Sequence, residues 1–133
     1  MIKILIVDDS SITRALLLQI LRKNPEFQVI GMAFNGNDAV ALTKLHNPDV
    51  IIMDINMPEM DGFEATQRIR SGECGLDKAG IPILGLTARA LQDSCDQAIA
   101  IGMNALLTKP FQPQDLLNKI YEWIKPNSEW IEK

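Results

Sequence analysis

Five residues of this chain stand where an apolar run gives way to a polar group: Asp8, Asp9, Asp54, Thr87 and Lys109. Ile4-Leu5-Ile6-Val7 precedes the acid pair, and Val50-Ile51-Ile52-Met53 precedes Asp54. Ile81 to Leu86 precedes Thr87, and Ala105 to Leu107 leads into Thr108-Lys109. If these runs are parallel strands of one open sheet, their carboxyl ends share a rim, which is where such sheets bind ligands. Three carboxylates gathered there repel. At about 4–5 Å and an effective dielectric near 20, each like-charged pair costs on the order of 4 kcal/mol. The cluster then requires raised pKa values or a cation. Hard oxygen donors suit Mg²⁺ better than Zn²⁺, and no Cys or His stands at these strand ends. A carboxylate beside a metal, an ammonium group and a hydroxyl is equipped for phosphoryl transfer. The acid attacks, while metal and lysine neutralise the equatorial oxygens.

The elements that must position these groups follow from the hydrophobic pattern. The continuous β-prone run 4–7 reads as a strand buried on both faces. Ser10 and Ser11 offer N-cap hydroxyls for a helix over about 11–23 that Asn24-Pro25 ends. Ile12, Ala15, Leu16 and Ile20 form its expected inward stripe. Leu17, Leu18 and Leu21 are then surplus apolar surface, read either as a broad buried face or as a docking surface. Phe27–Ala33 is a second strand, Asn35-Gly36 a turn, and a second helix runs through His46. A third strand reaches Asp54, and a third helix covers roughly 63–70. Residues 71–80 read as a ten-residue surface loop. Beyond the fourth strand, a helix over about 89–101 places Leu91, Cys95, Ala98 and Ile99 at helical spacing, with Gly102 as its stop. A fifth strand precedes a last helix from Pro113, with Leu116, Leu117, Ile120, Ile124 and Trp123 on its inner side. Five strands and five helices in strict alternation predict a doubly wound α/β domain: a parallel sheet, right-handed crossovers, helices on both faces.

Bulk properties narrow the function. The 133 residues fit one domain, expected over 1–125, with 126–133 a tail or linker start carrying Trp130 and Ile131. A net charge of -4 and a pI near 4.9 disfavour direct nucleic-acid binding. The first apolar run is too short for a membrane span or signal peptide, and Cys74 and Cys95 read as free thiols, so a cytoplasmic protein is expected. His46 reads as a helix-end histidine, and Met53, Met57 and Met60 as packing or loop residues.

Four segments together resemble the signatures of response-regulator receiver domains, in order and spacing. They are Leu5-Ile6-Val7-Asp8-Asp9-Ser10, Met53-Asp54-Ile55-Asn56-Met57-Pro58-Glu59-Met60-Asp61-Gly62, Leu86-Thr87-Ala88 and Lys109-Pro110-Phe111. The resemblance covers about 2–124 and implies the flavodoxin-like, CheY-like sheet order 2-1-3-4-5. It implies that Asp54 accepts a phosphoryl group from a histidine kinase or histidine phosphotransfer protein. Asp9, Asp54 and the Asn56 backbone carbonyl would hold Mg²⁺, with Asp8 reaching it mainly through water. Lys109 would pair with the phosphoryl group, Thr87 would be the switch hydroxyl, and the Lys109-Pro110 peptide would be cis. Asn56 and Arg89 match positions that tune phosphoryl lifetime. Leu106 departs from the family, which often carries an aromatic switch residue there. The ten-residue loop and the wording MDINMPEMDG look closer to receivers of hybrid kinases and phosphorelays than to chemotaxis regulators.

Taken singly, each residue has a plainer role: Asp9 or Ser10 a helix cap, Thr87 a strand-end hydroxyl, Lys109 a solvated surface charge. Their coincidence favours a signalling phospho-acceptor rather than an enzyme, acting on a downstream protein or output domain. The family also dimerises through the fourth helix, fifth strand and fifth helix. Two other functions stay open on these residues. One is a Mg²⁺-dependent phosphohydrolase, against which Asn56 stands where such enzymes carry a second acid. The other is a phosphorylation-independent interaction module.

Overall fold

The computed structural model describes residues 1–57, 60–88 and 92–124, and the side chains of 92–94 are outside that description. Arg89, Leu91, Trp130 and Ile131, together with the tail 126–133, lie outside the described residues. The elements alternate as β1 (Ile2–Val7), α1 (Ser11–Arg22), β2 (Phe27–Ala33), α2 (Gly36–Leu45), β3 (Val50–Asp54) and α3 (Gly62–Arg70). A 3₁₀ turn over Leu76–Lys78 follows, then β4 (Ile83–Thr87), α4 (Gln92–Ala100), β5 (Ala105–Thr108) and α5 (Pro113–Ile124). The sheet is parallel in the order β2-β1-β3-β4-β5. Winding therefore reverses between β1 and β3, the two strands that end in the acids.

Alternation along each strand divides the core into two layers, which is why the central strands are apolar throughout. Leu5, Val7, Ile51, Met53 and Ile83 pack with Ala39 and Val40 of α2, Ala65 and Ile69 of α3, and Ala98 of α4. Ile4, Ile6, Val50, Ile52, Leu84 and Leu86 pack with Leu17, Ile20 and Leu21 of α1 and with Leu116 and Ile120 of α5. Local capping fixes where helices begin. Ser10 Oγ accepts from the Thr13 amide, Asn35 Oδ1 from the Asp38 amide, and Asp61 Oδ1 from the Glu64 amide.

The structure corrects four expectations. α1 turns Leu17, Ile20 and Leu21 inward, whereas Ile12 is 81% exposed, Leu16 43% exposed, and Ala15 exposed too. An apolar run such as Ala-Leu-Leu-Leu supports two helical phases, and a tertiary contact selects one. Arg14 donates to the Asp8 carbonyl at 2.8 Å and lies 4.0 Å over the Phe34 ring, which sets the rotation. Trp123 is largely at the surface rather than core, because the inner line of α5 runs through Leu116 and Ile120. Ile99 is 59% exposed, because α4 covers the sheet edge with Ala98 instead. The 71–80 segment is not wholly at the surface: Cys74 is buried and its thiol donates to the Val40 carbonyl at 3.3 Å.

Candidate functional site

The carboxyl ends of β1 and β3 bring three acids together. One acceptor atom from each of Asp8, Asp9 and Asp54 lies within 4.8 Å of the others. Their environments differ. Asp8 is fully buried, Asp54 is 2% exposed, and Asp9 faces solvent. Asp8 commits both oxygens to protein: Oδ1 accepts from the Ser10 amide at 2.8 Å, and Oδ2 from Lys109 Nζ at 3.0 Å. Asp54 Oδ1 accepts from the Asn56 amide at 3.2 Å and lies 3.5 Å from Lys109 Nζ. Lys109 thus sits between the two buried acids, delivered by a cis peptide to Pro110.

Burial, then the charge of Asp8, pushes the Asp54 carboxyl up to about 7, against the opposing pull of Lys109 and the Asn56 amide. One ammonium group does not balance three clustered acids. That donor set, all oxygen and short of positive charge, fits a hard divalent cation. Asp8, Asp9 and Asp54 are the carboxylates grouped closely enough to hold one, and Asp8 also accepts from Ser10 and Lys109.

Thr87 closes β4 as a buried residue, and its carbonyl accepts from the Lys109 amide at 2.7 Å. That bond ties the lysine-bearing segment to the hydroxyl-bearing one. Asn56 is exposed, and its Oδ1 accepts from the Ala88 amide at 3.4 Å, linking the segment after β3 to the one after β4. Leu106 is not on the rim. It faces the α4 side of the sheet, half-buried, and a Cβ at its β4 neighbour Gly85 would come within 2.8 Å of its Cδ1.

Two contributors escape a sequence reading. Arg14 supports the Asp8 backbone through a carbonyl, and a backbone partner leaves no mark in the sequence. Gly62 lets α3 begin directly beneath the site: a Cβ there would lie 2.4 Å from the Asp54 carbonyl oxygen and 2.9 Å from the Ile55 Cα. Its signal was legible as a glycine straight after a capping Asp61, although a turn explains such a glycine equally well.

Comparison with known proteins matches this arrangement to one family. The family model described as response regulator receiver domain matches residues 4–121. The chain is 37% identical over 118 residues to the transcriptional regulatory protein PdtaR of Mycobacterium tuberculosis, covering 89% of this chain and 54% of that protein. It is 36% identical over 118 residues to the chemotaxis protein CheY of Halobacterium salinarum, covering 89% of this chain and 92% of that one. The response regulator domain of Thermotoga maritima CheB superposes with a TM-score of 0.82 at 30% identity, over 93% of this chain and 96% of that one. The receiver domain of the sensor histidine kinase PA1611 of Pseudomonas aeruginosa, solved with a magnesium ion coordinated in its active site cleft, gives 0.81 at 32% identity, over 92% and 96%. The chain spans about half the length of PdtaR and about a third of a similar protein-glutamate methylesterase of Methanospirillum hungatei. Among the described residues, no helix is long and apolar enough to cross a membrane.

Proposed function

Because this chain belongs to the response regulator receiver domain family, we propose that Asp54 is its phospho-acceptor and that the acid cluster works with Mg²⁺. The observation that carries this reading is the placement of Lys109 Nζ between buried Asp8 and Asp54, with Asp9 completing the cluster. The carboxylate oxygen of Asp54 attacks the phosphorus of a phosphohistidine. A phosphorus–oxygen bond forms, the phosphorus–nitrogen bond breaks, and the imidazole leaves and takes up a proton. Lys109 is held ready to donate to an equatorial oxygen, and the Thr87 hydroxyl to another. Bound Mg²⁺ supplies neutralisation of the charge that three acids and a phosphoryl group would otherwise leave unbalanced.

Receiver domains pair with histidine kinases or phosphotransfer proteins. For this chain we place the donor at α1. The outward-facing Leu16 and Thr13 line an apolar hollow together with Lys109, Pro110 and Phe111. Ile12, 81% exposed, stands on the same helix. The docking residues are therefore Ile12 and Leu16 rather than the leucines first suspected. The output face is that of α4, β5 and α5, where Ile99 and Trp123 are exposed to a downstream partner, an output domain or a second copy. The proposed reaction with a phosphohistidine donor supports a cytoplasmic location. Asn56 stands where a phosphohydrolase of this type would need its second acid, which argues against turnover of added phosphomonoesters.

The test is intact mass after incubation with acetyl phosphate and Mg²⁺. The wild type gains a single phosphoryl group, gains none when a chelator is present from the start, and Asp54→Asn gains none. Equal acid-labile labelling of Asp54→Asn would remove the assignment.

A further inference from the structure

Arg70, the last residue of α3, reaches across to the turn between α4 and β5. Its Nε donates to the Gly102 carbonyl at 2.9 Å, Nη2 to Asn104 Oδ1 at 2.9 Å, and Nη1 to the Ala79 carbonyl at 2.7 Å. These three acceptors are neutral, so the planar fork is used for geometry rather than for an ion pair. Asn104 is itself tied to β4. Its amide donates to the Ile83 carbonyl at 2.8 Å, and its Oδ1 accepts from the Ile83 amide at 2.8 Å. Gly102 has φ 108°, and a Cβ there would lie 2.9–3.2 Å from Arg70 Nε, Cγ and Cδ. The glycine thus turns the chain and admits the arginine. Met103 follows, 3% exposed, with its amide bonded to the Ala98 carbonyl at 2.9 Å.

The C-terminal end of α4 is therefore bolted to α3, to the 71–80 segment and to β4. The helix has a modest apolar hold of its own: from Cys95 onward Ala98 is buried, but Ile99 is 59% exposed. The opposite end of α4 lies toward Thr87 and Ala88, which are bonded to Lys109 and Asn56 of the acid rim.

We propose that Arg70 is a positioning residue that makes the Gly102 end of α4 a fixed pivot, so that phosphorylation displaces the end nearest Thr87. This deepens, and rests on, the phospho-acceptor reading of Asp54. The nine residues of α4 span about 14 Å, so a tilt of about 10° at Gly102 moves the first residue by about 2 Å. The bonds of Arg70 survive such a tilt. Without them, the same push translates the helix and disturbs β5.

The test is amide NMR of the full chain, with and without Mg²⁺ and beryllofluoride, for the wild type, Arg70→Met, Asn104→Ala and Asn104→Asp. In the wild type the shift changes fall steadily along α4 and are small from residue 101 to 106. In Arg70→Met and Asn104→Ala, the changes at 101–106 at least double, and amide exchange of Met103 and Ala105 without the probe speeds up tenfold or more. Asn104→Asp keeps the wild-type gradient, since a carboxylate oxygen retains both hydrogen bonds. An unchanged gradient in Arg70→Met, even with a lowered Tm, overturns the pivot. If Arg70→Met does not fold, Asn104→Ala decides by the same criterion. A wild type that ignores the probe overturns the phospho-acceptor reading, and the pivot with it.

Discussion

Replacing Asp54 with Asn should stabilise the metal-free protein at alkaline pH, although it removes the group on which function depends. In the folded chain the carboxyl sits at about 7 instead of the ordinary 3.8, first through burial and then through Asp8. A folded-state value above the unfolded one means that the native state binds the proton more tightly. The stability this supplies is complete below about pH 4 and is lost as pH rises through about 7. The full displacement corresponds to about 4 kcal/mol, and because the crevice opens to water at Asp9, about 2 kcal/mol is the expected effect. Asn removes the ionisation and keeps an oxygen for the Asn56 amide. Urea unfolding followed by circular dichroism, in chelator at pH 5 and pH 8, measures this. The advantage of Asp54→Asn over wild type should grow by about 1 kcal/mol between the two pH values, since part of the effect already falls below pH 5. Millimolar Mg²⁺ at pH 8 should shrink it, because the cation binds the folded acid cluster and not the unfolded chain. If the variant is less stable than wild type at pH 8 without metal, or its advantage is the same at both pH values, the electrostatic account of the crevice is wrong.

Other consequences can be measured separately. Lys109→Met leaves fully buried Asp8 without its cation, so metal-free stability at pH 8 should fall by about 3 kcal/mol, with partial recovery in Mg²⁺ and much slower labelling by acetyl phosphate. In α1, Leu17→Ala should cost about 3 kcal/mol and Leu16→Ala under about 0.5 kcal/mol; equal losses in denaturant melts would contradict the helix phase described above. Gly62→Ala presses a methyl group against the Asp54 carbonyl and the Ile55 Cα. It should destabilise by about 2 kcal/mol and slow labelling at Asp54 in the intact-mass assay.

Much of this protein was written in its local patterns. Runs such as Ile4–Val7 and Val50–Met53, apolar at every position, imply strands covered on both faces, and the helices between them imply parallel crossovers. Ser10 announces the start of α1, and Gly102 the end of α4. The acids, Thr87 and Lys109 stood out because each breaks an apolar strand at the same end, and strand polarity in a parallel sheet sends equal ends to one rim. Other features depended on contacts distant in sequence. Which stripe of α1 faces inward was undecidable from an apolar run that fits two phases, until Arg14 met the Asp8 carbonyl and Phe34. Trp123 and Ile99 have helical spacing suited to burial, but their exposure depends on how far the sheet extends beneath each helix. Cys74 looked like part of a glycine-rich surface loop, and only its contact with the Val40 carbonyl draws it inside. Arg70 gave no sign at all, since its acceptors are backbone carbonyls and a neutral amide gathered by the fold. Periodicity and side-chain chemistry are properties of neighbouring residues, legible in order along the chain. Helix rotation, sheet width and hydrogen bonds to remote backbone are properties of packing, and they come into being only when the elements meet.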